Sequence, residues 1–213
     1  MTKDLFILGS GGHARDIAEI SRDLEYRPVF VVRDEAQRAG WEGAEDIALE
    51  SEVIDAPGNK FAIGIGDNRL RAKLAAKLGV DRLFPTLIHP DSSVGYSSRK
   101  ALAATRGTIV FPGVRIMGRC SFGNFCTLNL NSTVSHDCRI CDFANLSPGA
   151  HLAGNVYIGE GAWIGMGVVV NQGADEALRR IGAWATIGSG AAVVRDVAER
   201  TTQVGVPARE TER

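Results

Sequence analysis

Residues 128–158 read LNLNSTVSHDCRICDFANLSPGAHLAGNVYI, and every sixth residue of this stretch is aliphatic. The same spacing extends in both directions. Counted in sixes from Val110, the first positions hold large apolar residues: Val110, Ile116, Phe122, Leu128, Val134, Ile140, Leu146, Leu152, Ile158, Ile164 and Val170. The fifth positions hold smaller residues: Val114, Cys120, Cys126, Ser132, Cys138, Ala144, Ala150, Val156, Ala162, Val168 and Ala174.

A period of six fits neither an α-helix, which repeats every 3.6 residues or so, nor a plain strand, which alternates every two. It is typical of a β-solenoid, in which each six forms a short strand and a turn, and the first and fifth side chains point into a common interior. Three sixes make a coil of about 18 residues, and coils stack about 4.8 Å apart. We therefore expect an all-β parallel β-helix, with Cys120, Cys126 and Cys138 as reduced core residues.

The repeat is interrupted at two places. After Val170 it resumes at Ile181, a spacing of eleven, and the polar segment Ala174–Arg180 between them predicts a loop pushed out between coils. Near the start, Lys100 breaks the register, so we expect an irregular first coil.

The first part of the chain has a different pattern, which predicts two domains, residues 1–85 and residues 86–213. Apolar runs that predict strands alternate with segments of helical character: strands at Leu5–Leu8, Val29–Val32 and Phe61–Gly66, and helices at Arg15–Ser21 and Asn68–Leu78. Such alternation indicates an α/β domain with a parallel sheet.

A glycine turn follows the first strand. Gly9, Gly11 and Ala14 satisfy a loose dinucleotide-binding pattern, with Asp34 in the place that contacts a ribose. A dinucleotide requires two mononucleotide-binding halves, and this domain has room for about one. We therefore expect a half-Rossmann nucleotide-binding domain, whose turn and helix N-terminus hold the diphosphate of a nucleotide or nucleotide sugar. The alternative is a glycine turn needed only for close packing of strand and helix.

Other polar and glycine residues of the first domain lie where strand ends converge, the usual place for a ligand on a parallel sheet. His13 either donates to a phosphate or caps the helix. The candidate substrate-binding residues of this domain are Gly11, Gly12, His13, Asp34, Gly64, Asp67 and Asn68.

His136 is the third residue of its six, so its side chain is expected to point away from the solenoid interior. One coil of 18 residues in either direction leads to Gly154 and Gly118, which have no side chains. The imidazole therefore has open space beside it, and the Gly154 N–H can address an oxygen there. The alternative is an ordinary solvated histidine.

Four segments together resemble a known family: GSGGHA at 9–14, NLNSTVSHDC at 129–138, SPGAHLAGNVYIG at 147–159 and VGVPAR at 204–209. Over nearly the whole chain, the sequence is similar to the left-handed β-helix acyltransferases. More narrowly, it resembles the nucleotide-sugar N-acetyltransferases of the perosamine and bacillosamine type, within the sialic acid O-acetyltransferase-like proteins. The resemblance implies acetyl-CoA as cosubstrate, a nucleotide-linked amino sugar as acceptor, no metal, and a homotrimer.

The resemblance also implies residue roles. His136 matches the general base and Asp137 the acidic residue that orients it, although the family commonly has glutamate there. Asn129 matches an asparagine that helps hold the sugar amine, and Gly154 the glycine whose N–H contacts the thioester oxygen. Some members carry a second histidine where this chain has Asn145. The expected coenzyme-binding residues are Asn145, Gly154, Gly173, Val206 and Pro207.

Composition excludes several other classes. The 24 basic and 25 acidic side chains nearly balance, so no nucleic-acid partner is expected. The first apolar run is broken at Gly9, too early for a signal peptide or a membrane span, so we expect a cytoplasmic protein without membrane contact.

Three alternatives remain open. The first is a sugar O-acetyltransferase of the sialic acid type, and the second is a catalytically silent nucleotide-binding scaffold. The third is a zinc enzyme on the same solenoid, which requires three histidines, whereas the repeats hold His136 and His151 alone.

Overall fold

The computed structural model describes residues 3–211, so the outer ends of the two predicted domains, residues 1–2 and 212–213, lie outside the described residues. The chain forms two compact units that meet between Leu87 and Ile88. The predicted boundary, between residues 85 and 86, lies two residues earlier.

The first unit is an α/β domain with four parallel strands in the order β3-β2-β1-β4. Its elements are β1 (Lys3–Leu8), α1 (Gly12–Asp23), β2 (Tyr26–Val32), α2 (Glu35–Ala39), β3 (Asp46–Leu49), α3 (Glu50–Val53), β4 (Lys60–Ile63) and α4 (Asn68–Leu78). The apolar runs at 5–8, 29–32 and 61–63 are buried in the sheet, because strands of a parallel sheet are covered on both faces. The edge strand β3 was not predicted.

The second unit is a β-helix of two- and three-residue strands. They are β5 (Leu87–Ile88), β6 (Ser93–Val94), β7 (Ile109–Val110), β8 (Arg115–Ile116), β9 (Ser121–Phe122), β10 (Thr127–Leu128), β11 (Thr133–Val134), β12 (Arg139–Ile140), β13 (Asn145–Leu146), β14 (His151–Leu152), β15 (Val156–Ile158), β16 (Trp163–Ile164), β17 (Val169–Val170), β18 (Arg179–Ile181), β19 (Thr186–Ile187), β20 (Ala192–Val193), β21 (Thr202–Val204) and β22 (Arg209–Glu210). One helix, α5 (Tyr96–Ala103), lies between β6 and β7.

Three parallel sheets form the sides of the solenoid. The eight-stranded sheet has the order β22-β21-β19-β16-β13-β10-β7-β5, the six-stranded sheet β20-β17-β14-β11-β8-β6, and the four-stranded sheet β18-β15-β12-β9. Only the terminal pair β21–β22 is antiparallel among the described strands. Leu128 pairs with Leu146, and Val134 with Leu152, so each strand stacks on the one 18 residues later. The predicted fold class, an α/β domain followed by a left-handed β-helix, is confirmed.

The interior follows the period of six. The predicted first positions are buried, except Phe122, which is half-buried. The fifth positions are buried through Val168, including Cys120, Cys126 and Cys138, and none of the cysteines forms a disulfide. Ala174 was wrongly assigned to the interior: it is exposed, because the chain has already left the coil there.

Both interruptions of the repeat have a structural cause. Helix α5 contains Lys100 and packs against β9, so the first coil has a helix between its strands, as expected for an irregular coil. The later interruption is a loop closed by a bridge between Ala174 and Ala177. Arg179 and Arg180 were wrongly included in this loop, because they belong to β18 and pair with β15.

From Gly113 to Gly167, the fourth residue of each six adopts a left-handed backbone that turns the chain from one sheet to the next. Arg119, Asn131, Asp137 and Asn155 have φ between 56° and 60°. This conformation costs an ordinary L-residue about 1–2 kcal/mol and is tolerated best by Gly, Asn and Asp. The turn therefore fixes the direction of the Asp137 Cα–Cβ bond, independently of any ligand.

No helix in the described part of the chain has both the length and the apolar character needed to cross a bilayer.

Candidate active site

The turns 118–119, 136–137 and 154–155 stack on one another where the six-stranded sheet meets the solenoid's four-stranded sheet; we call them the stacked corner. In the later two turns, the fourth-position N–H donates to the third-position carbonyl of the coil before, at 3.1 Å for residue 137 and 3.0 Å for residue 155. In the first turn, the Arg119 N–H donates to Ser97 Oγ at 2.8 Å. The Gly173 N–H continues the row by donating to the Gly154 carbonyl at 3.0 Å. Side chains at equal positions of these turns are therefore neighbours.

The His136 imidazole points outward at this corner and is 58% exposed. It lies against Gly154: a Cβ added at residue 154 would be 2.5 Å from both Cε1 and Nε2 of the ring. Only glycine leaves room for the imidazole in this position. The Gly154 N–H has no hydrogen-bond acceptor among residues 3–211, so it can donate to a ligand beside the ring.

Asp137 contacts the imidazole directly. Its Oδ2 lies 2.8 Å from His136 Nδ1, so the shorter aspartate reaches the ring without an intervening water. The hydrogen bond from Arg119, followed by that from His136, lowers the pKa of Asp137, which is therefore a carboxylate near neutral pH. Because a carboxylate can only accept, Nδ1 carries the proton and Nε2 has an open lone pair.

Arg119 was missed by the sequence analysis. Its Nε and Nη2 lie 2.8 Å from Oδ1 and Oδ2 of Asp137, a two-point contact. The sequence could have predicted this contact, because residues 119 and 137 are 18 apart and occupy the same position of successive coils.

Two predicted residues of the β-helix lie elsewhere. Asn129 follows β10 and is separated from His136 by β11; its Oδ1 accepts the Leu130 N–H at 2.7 Å. Asn145 was expected to contact the coenzyme, but it is only 4% exposed, and its amide donates to Ser147 Oγ at 2.9 Å. Its environment within this chain is that of a core residue, and its contact with the coenzyme stays a prediction.

The remaining predicted coenzyme residues lie in irregular segments. Gly173 enters the loop beside the stacked corner, where an added Cβ would be 2.3 Å from the Asn155 carbonyl oxygen. Asp175 in that loop accepts from the Asn155 amide at 2.9 Å, which ties the loop to the corner. Val206 and Pro207 are exposed in the turn between β21 and β22.

The first unit contains a cavity of about 720 Å³. It opens at the carboxyl ends of β1 and β2, where a parallel sheet binds ligands. Its lining residues are Leu8, Gly9, Ser10, Arg15, Val31, Val32, Arg33, Gln37, Gly40, Trp41, Glu50, Ile65, Leu70, Leu74 and Lys77. Arg15 and Arg33 supply positive charge, and Trp41 supplies an aromatic wall. None of the seven predicted residues of this unit lines the cavity, although Ser10, Arg33 and Ile65 are immediate neighbours of predicted positions.

The glycine turn has the features of an anion site. Gly11 is the N-cap of α1, Gly12 is its first residue, and both are exposed with open space around them. Burial, with a smaller contribution from the charge of Arg71, lowers the pKa of His13 to about 4. His13 is therefore neutral near pH 7 and is not a cationic phosphate ligand.

The other four predicted residues have structural roles. Asp34 and Asp67 are N-caps whose carboxylates accept the N–H groups of Gln37 and Leu70 at 2.9 and 2.8 Å. The other two residues lie in the interior. Asn68 is buried and accepts from Arg71 at 2.7 Å. Gly64 lets α1 approach closely, because an added Cβ would lie 2.5 Å from Ala14 Cβ. Gly64 thus has a packing role at a position outside the glycine turn.

Within residues 3–211, no three His, Cys, Asp or Glu side chains are grouped so that they could hold a metal ion.

Both units match known proteins. Residues 4–78 match the PglD N-terminal domain. The chain is 31% identical over 216 residues to GDP-perosamine N-acetyltransferase of Escherichia coli O157:H7, covering 97% of this chain and 96% of that protein. Among solved structures, PerB from Caulobacter crescentus in complex with CoA and GDP-perosamine matches with a TM-score of 0.84 and 29% identity, over 100% of this chain and 99% of that one.

A second solved structure also matches nearly the whole chain. The acetyltransferase domain of PglB from Neisseria gonorrhoeae FA1090, in complex with acetyl coenzyme A, matches with a TM-score of 0.82 and 28% identity, over 99% of this chain and 100% of that one. The match extends through both units, so the resemblance carried by the four sequence segments is confirmed. The chain belongs to the family of hexapeptide-repeat nucleotide-sugar N-acetyltransferases that includes GDP-perosamine N-acetyltransferase.

Proposed function

We propose that this protein transfers the acetyl group of acetyl-CoA to the amine of a nucleotide-linked amino sugar. The observation that carries the proposal is the outward imidazole of His136, fixed by Asp137 and lying against the bare backbone of Gly154. The relatives support it, since PerB binds CoA and GDP-perosamine and the PglB domain binds acetyl coenzyme A.

The reaction needs a neutral amine, a base and a donor for the oxyanion. The amine nitrogen attacks the thioester carbon, and His136 Nε2 takes the proton that the nitrogen loses. Asp137 holds the ring with Nδ1 protonated and stabilises the imidazolium that forms. The Gly154 N–H donates to the developing oxyanion, a contact typically worth about 3 kcal/mol. The intermediate then expels the CoA thiolate, which takes the proton back from the imidazolium, so no acyl-enzyme forms.

The nucleotide is bound by the first unit. The N–H groups at the start of α1, together with Arg15 and Arg33, suit the diphosphate, because helix N-termini and guanidinium groups bind phosphate oxygens. The indole of Trp41 offers a flat apolar surface for a base. His13 is neutral near pH 7, so it adds no positive charge to this site.

An acceptor panel tests the reaction type. We expect acetylation of GDP-, UDP- or dTDP-linked amino sugars, no acetylation of the matched nucleotide sugar with hydroxyl in place of amine, and none of free sialic acid. Product mass and thiol release measure the result. Acetylation of sialic acid, with the amino sugars left unmodified, would replace the proposal by the sugar O-acetyltransferase alternative.

The active species is proposed to be a homotrimer. An apolar column of residues spaced 18 apart runs along the corner between the eight- and six-stranded sheets: Pro112, Leu130, Pro148 and Met166. Leu130 and Met166 are exposed in the single chain, and contiguous exposed apolar surface marks protein interfaces. A closed ring with threefold symmetry covers this apolar column on all three chains at once.

Sedimentation tests this assembly. We expect three times the chain mass for the wild type and a smaller species for Met166→Glu, because the carboxylate would be buried without a partner. A wild-type monomer with full activity would contradict the trimer.

A further inference from the structure

Arg119 makes two close contacts to Asp137 although its side chain lies at the surface. Its side chain is 75% exposed, yet both of its contacts to Asp137 are 2.8 Å long. One of the two carboxylate oxygens it binds, Oδ2, is the same atom that accepts from His136 Nδ1. Arg119, Asp137 and His136 therefore form a continuous chain of hydrogen bonds across two coils.

We propose that Arg119 is a positioning residue for the acetyl transfer: it locks the Asp137 carboxylate in the rotamer that orients His136 and balances the carboxylate charge next to the ring. The inference rests on the proposed function, in which His136 is the base. Asp137 sits in a left-handed turn, where its side chain has solvent on one side. The two-point guanidinium contact removes the rotational freedom that solvent would otherwise leave to the carboxylate.

Stability does not explain this arrangement. Ion pairs with one strongly exposed partner add little to the free energy of unfolding. Arg119 also has φ of 60°, a backbone conformation that asparagine adopts more readily than arginine. An Arg119→Asn variant should thus fold as well as the wild type, which makes a loss of activity interpretable.

Charge is the second part of the proposal. Asp137 is the acidic group that contacts His136, Arg119 is the cation that faces Asp137 from the coil before, and Gly154 and Asn155 on the coil after are uncharged. Asp175 on the adjacent loop acts on Arg119 through its charge. On the interior side of the same turns lie the thiols of Cys120 and Cys138. Removal of the guanidinium leaves the negative charges of Asp137 and Asp175 uncompensated by its positive charge. This favours the protonated imidazole, which cannot act as a base.

The test compares Arg119→Asn and Arg119→Lys with wild type in the complete protein. For Arg119→Asn we expect kcat to fall roughly ten- to hundredfold, as for other displacements of a reacting group, with KM for both substrates within about twofold. The acid limb of the pH profile of kcat should move to higher pH by about half a pH unit, the effect of one screened charge at this range. Arg119→Lys keeps the charge and should restore the position of the acid limb but only part of kcat.

A matched control is Arg200→Asn, because Arg200 has φ of 59° in a turn of another corner. It should leave kcat and the pH profile unchanged, and all variants should keep the wild-type Tm. An unchanged pH profile and kcat in Arg119→Asn would overturn the inference. A rise in KM for acetyl-CoA alone would also overturn it, by assigning Arg119 to phosphate binding. Neither result affects the proposed function, which fails separately if His136→Ala keeps full activity.

Discussion

His136→Ala is expected to lower kcat/KM for the amino-sugar substrate by a factor of roughly 10² to 10⁴, the usual contribution of a general base. The Nε2 atom of the imidazole has an open lone pair, because the other ring nitrogen, Nδ1, is held by Asp137 at 2.8 Å. Imidazole is the side chain most often used as a general base near neutral pH. Steady-state assays across pH 6 to 9 measure the loss.

A second histidine provides the control for this variant. His151 is also exposed on the β-helix, and its Nδ1 contacts Thr133 Oγ1 at 2.9 Å rather than a carboxylate. His151→Ala should therefore retain most of the activity. Near-wild-type turnover by His136→Ala would remove this residue from the chemistry and leave the corner without a base.

Gly154→Ala is expected to lower kcat/KM by roughly a hundredfold, the effect of a displacement of about 1 Å in a reacting group. The added methyl would lie 2.5 Å from two atoms of the His136 ring. The ring is exposed, so it can swing outward without disturbing the coil, but it then leaves the Gly154 N–H and the space proposed for the thioester. Binding of the nucleotide sugar, measured by calorimetry, should be unchanged.

Gly118→Ala is the matched control, since it adds the same methyl at the same turn position one coil earlier. That methyl would meet only Ser97 Oγ, at 3.1 Å, and does not approach the imidazole. We expect a modest effect on activity and on Tm. Equal losses of activity and Tm in both variants would mean that methyl groups at this corner damage the coil itself, which would contradict the specific role given to Gly154.

The period of six predicted most of the β-helix, because each coil repeats the same physical requirement: a large apolar residue and a small one must fill a narrow interior. From that register alone His136 could be placed outward and next to Gly154. The register of six no longer applies where the chain leaves the coil, which is why Ala174 was wrongly assigned to the interior. The charges of Arg179 and Arg180 led to their assignment to the loop, although both belong to strand β18.

Contacts between side chains were harder to predict. Asp34 and Asp67 follow strands, as ligand-binding acids do, but each also precedes a helix, and capping explains their position as well as binding does. The cavity of the first unit is lined by neighbours of the predicted residues, because a one-residue shift along a turn decides which side chain faces it. Strand β3 is four residues long, and its burial is incomplete, so its pattern was weak.

The most direct measurement is a crystal structure of the wild-type protein with a non-transferable acetyl-CoA analogue and a nucleotide-linked amino sugar. We predict that the sugar amine lies within about 3.2 Å of His136 Nε2, and that the carbonyl oxygen of the analogue lies within about 3.1 Å of the Gly154 nitrogen. An amine held at another corner, or a carbonyl directed away from Gly154 while the imidazole remains in place, would contradict the mechanism.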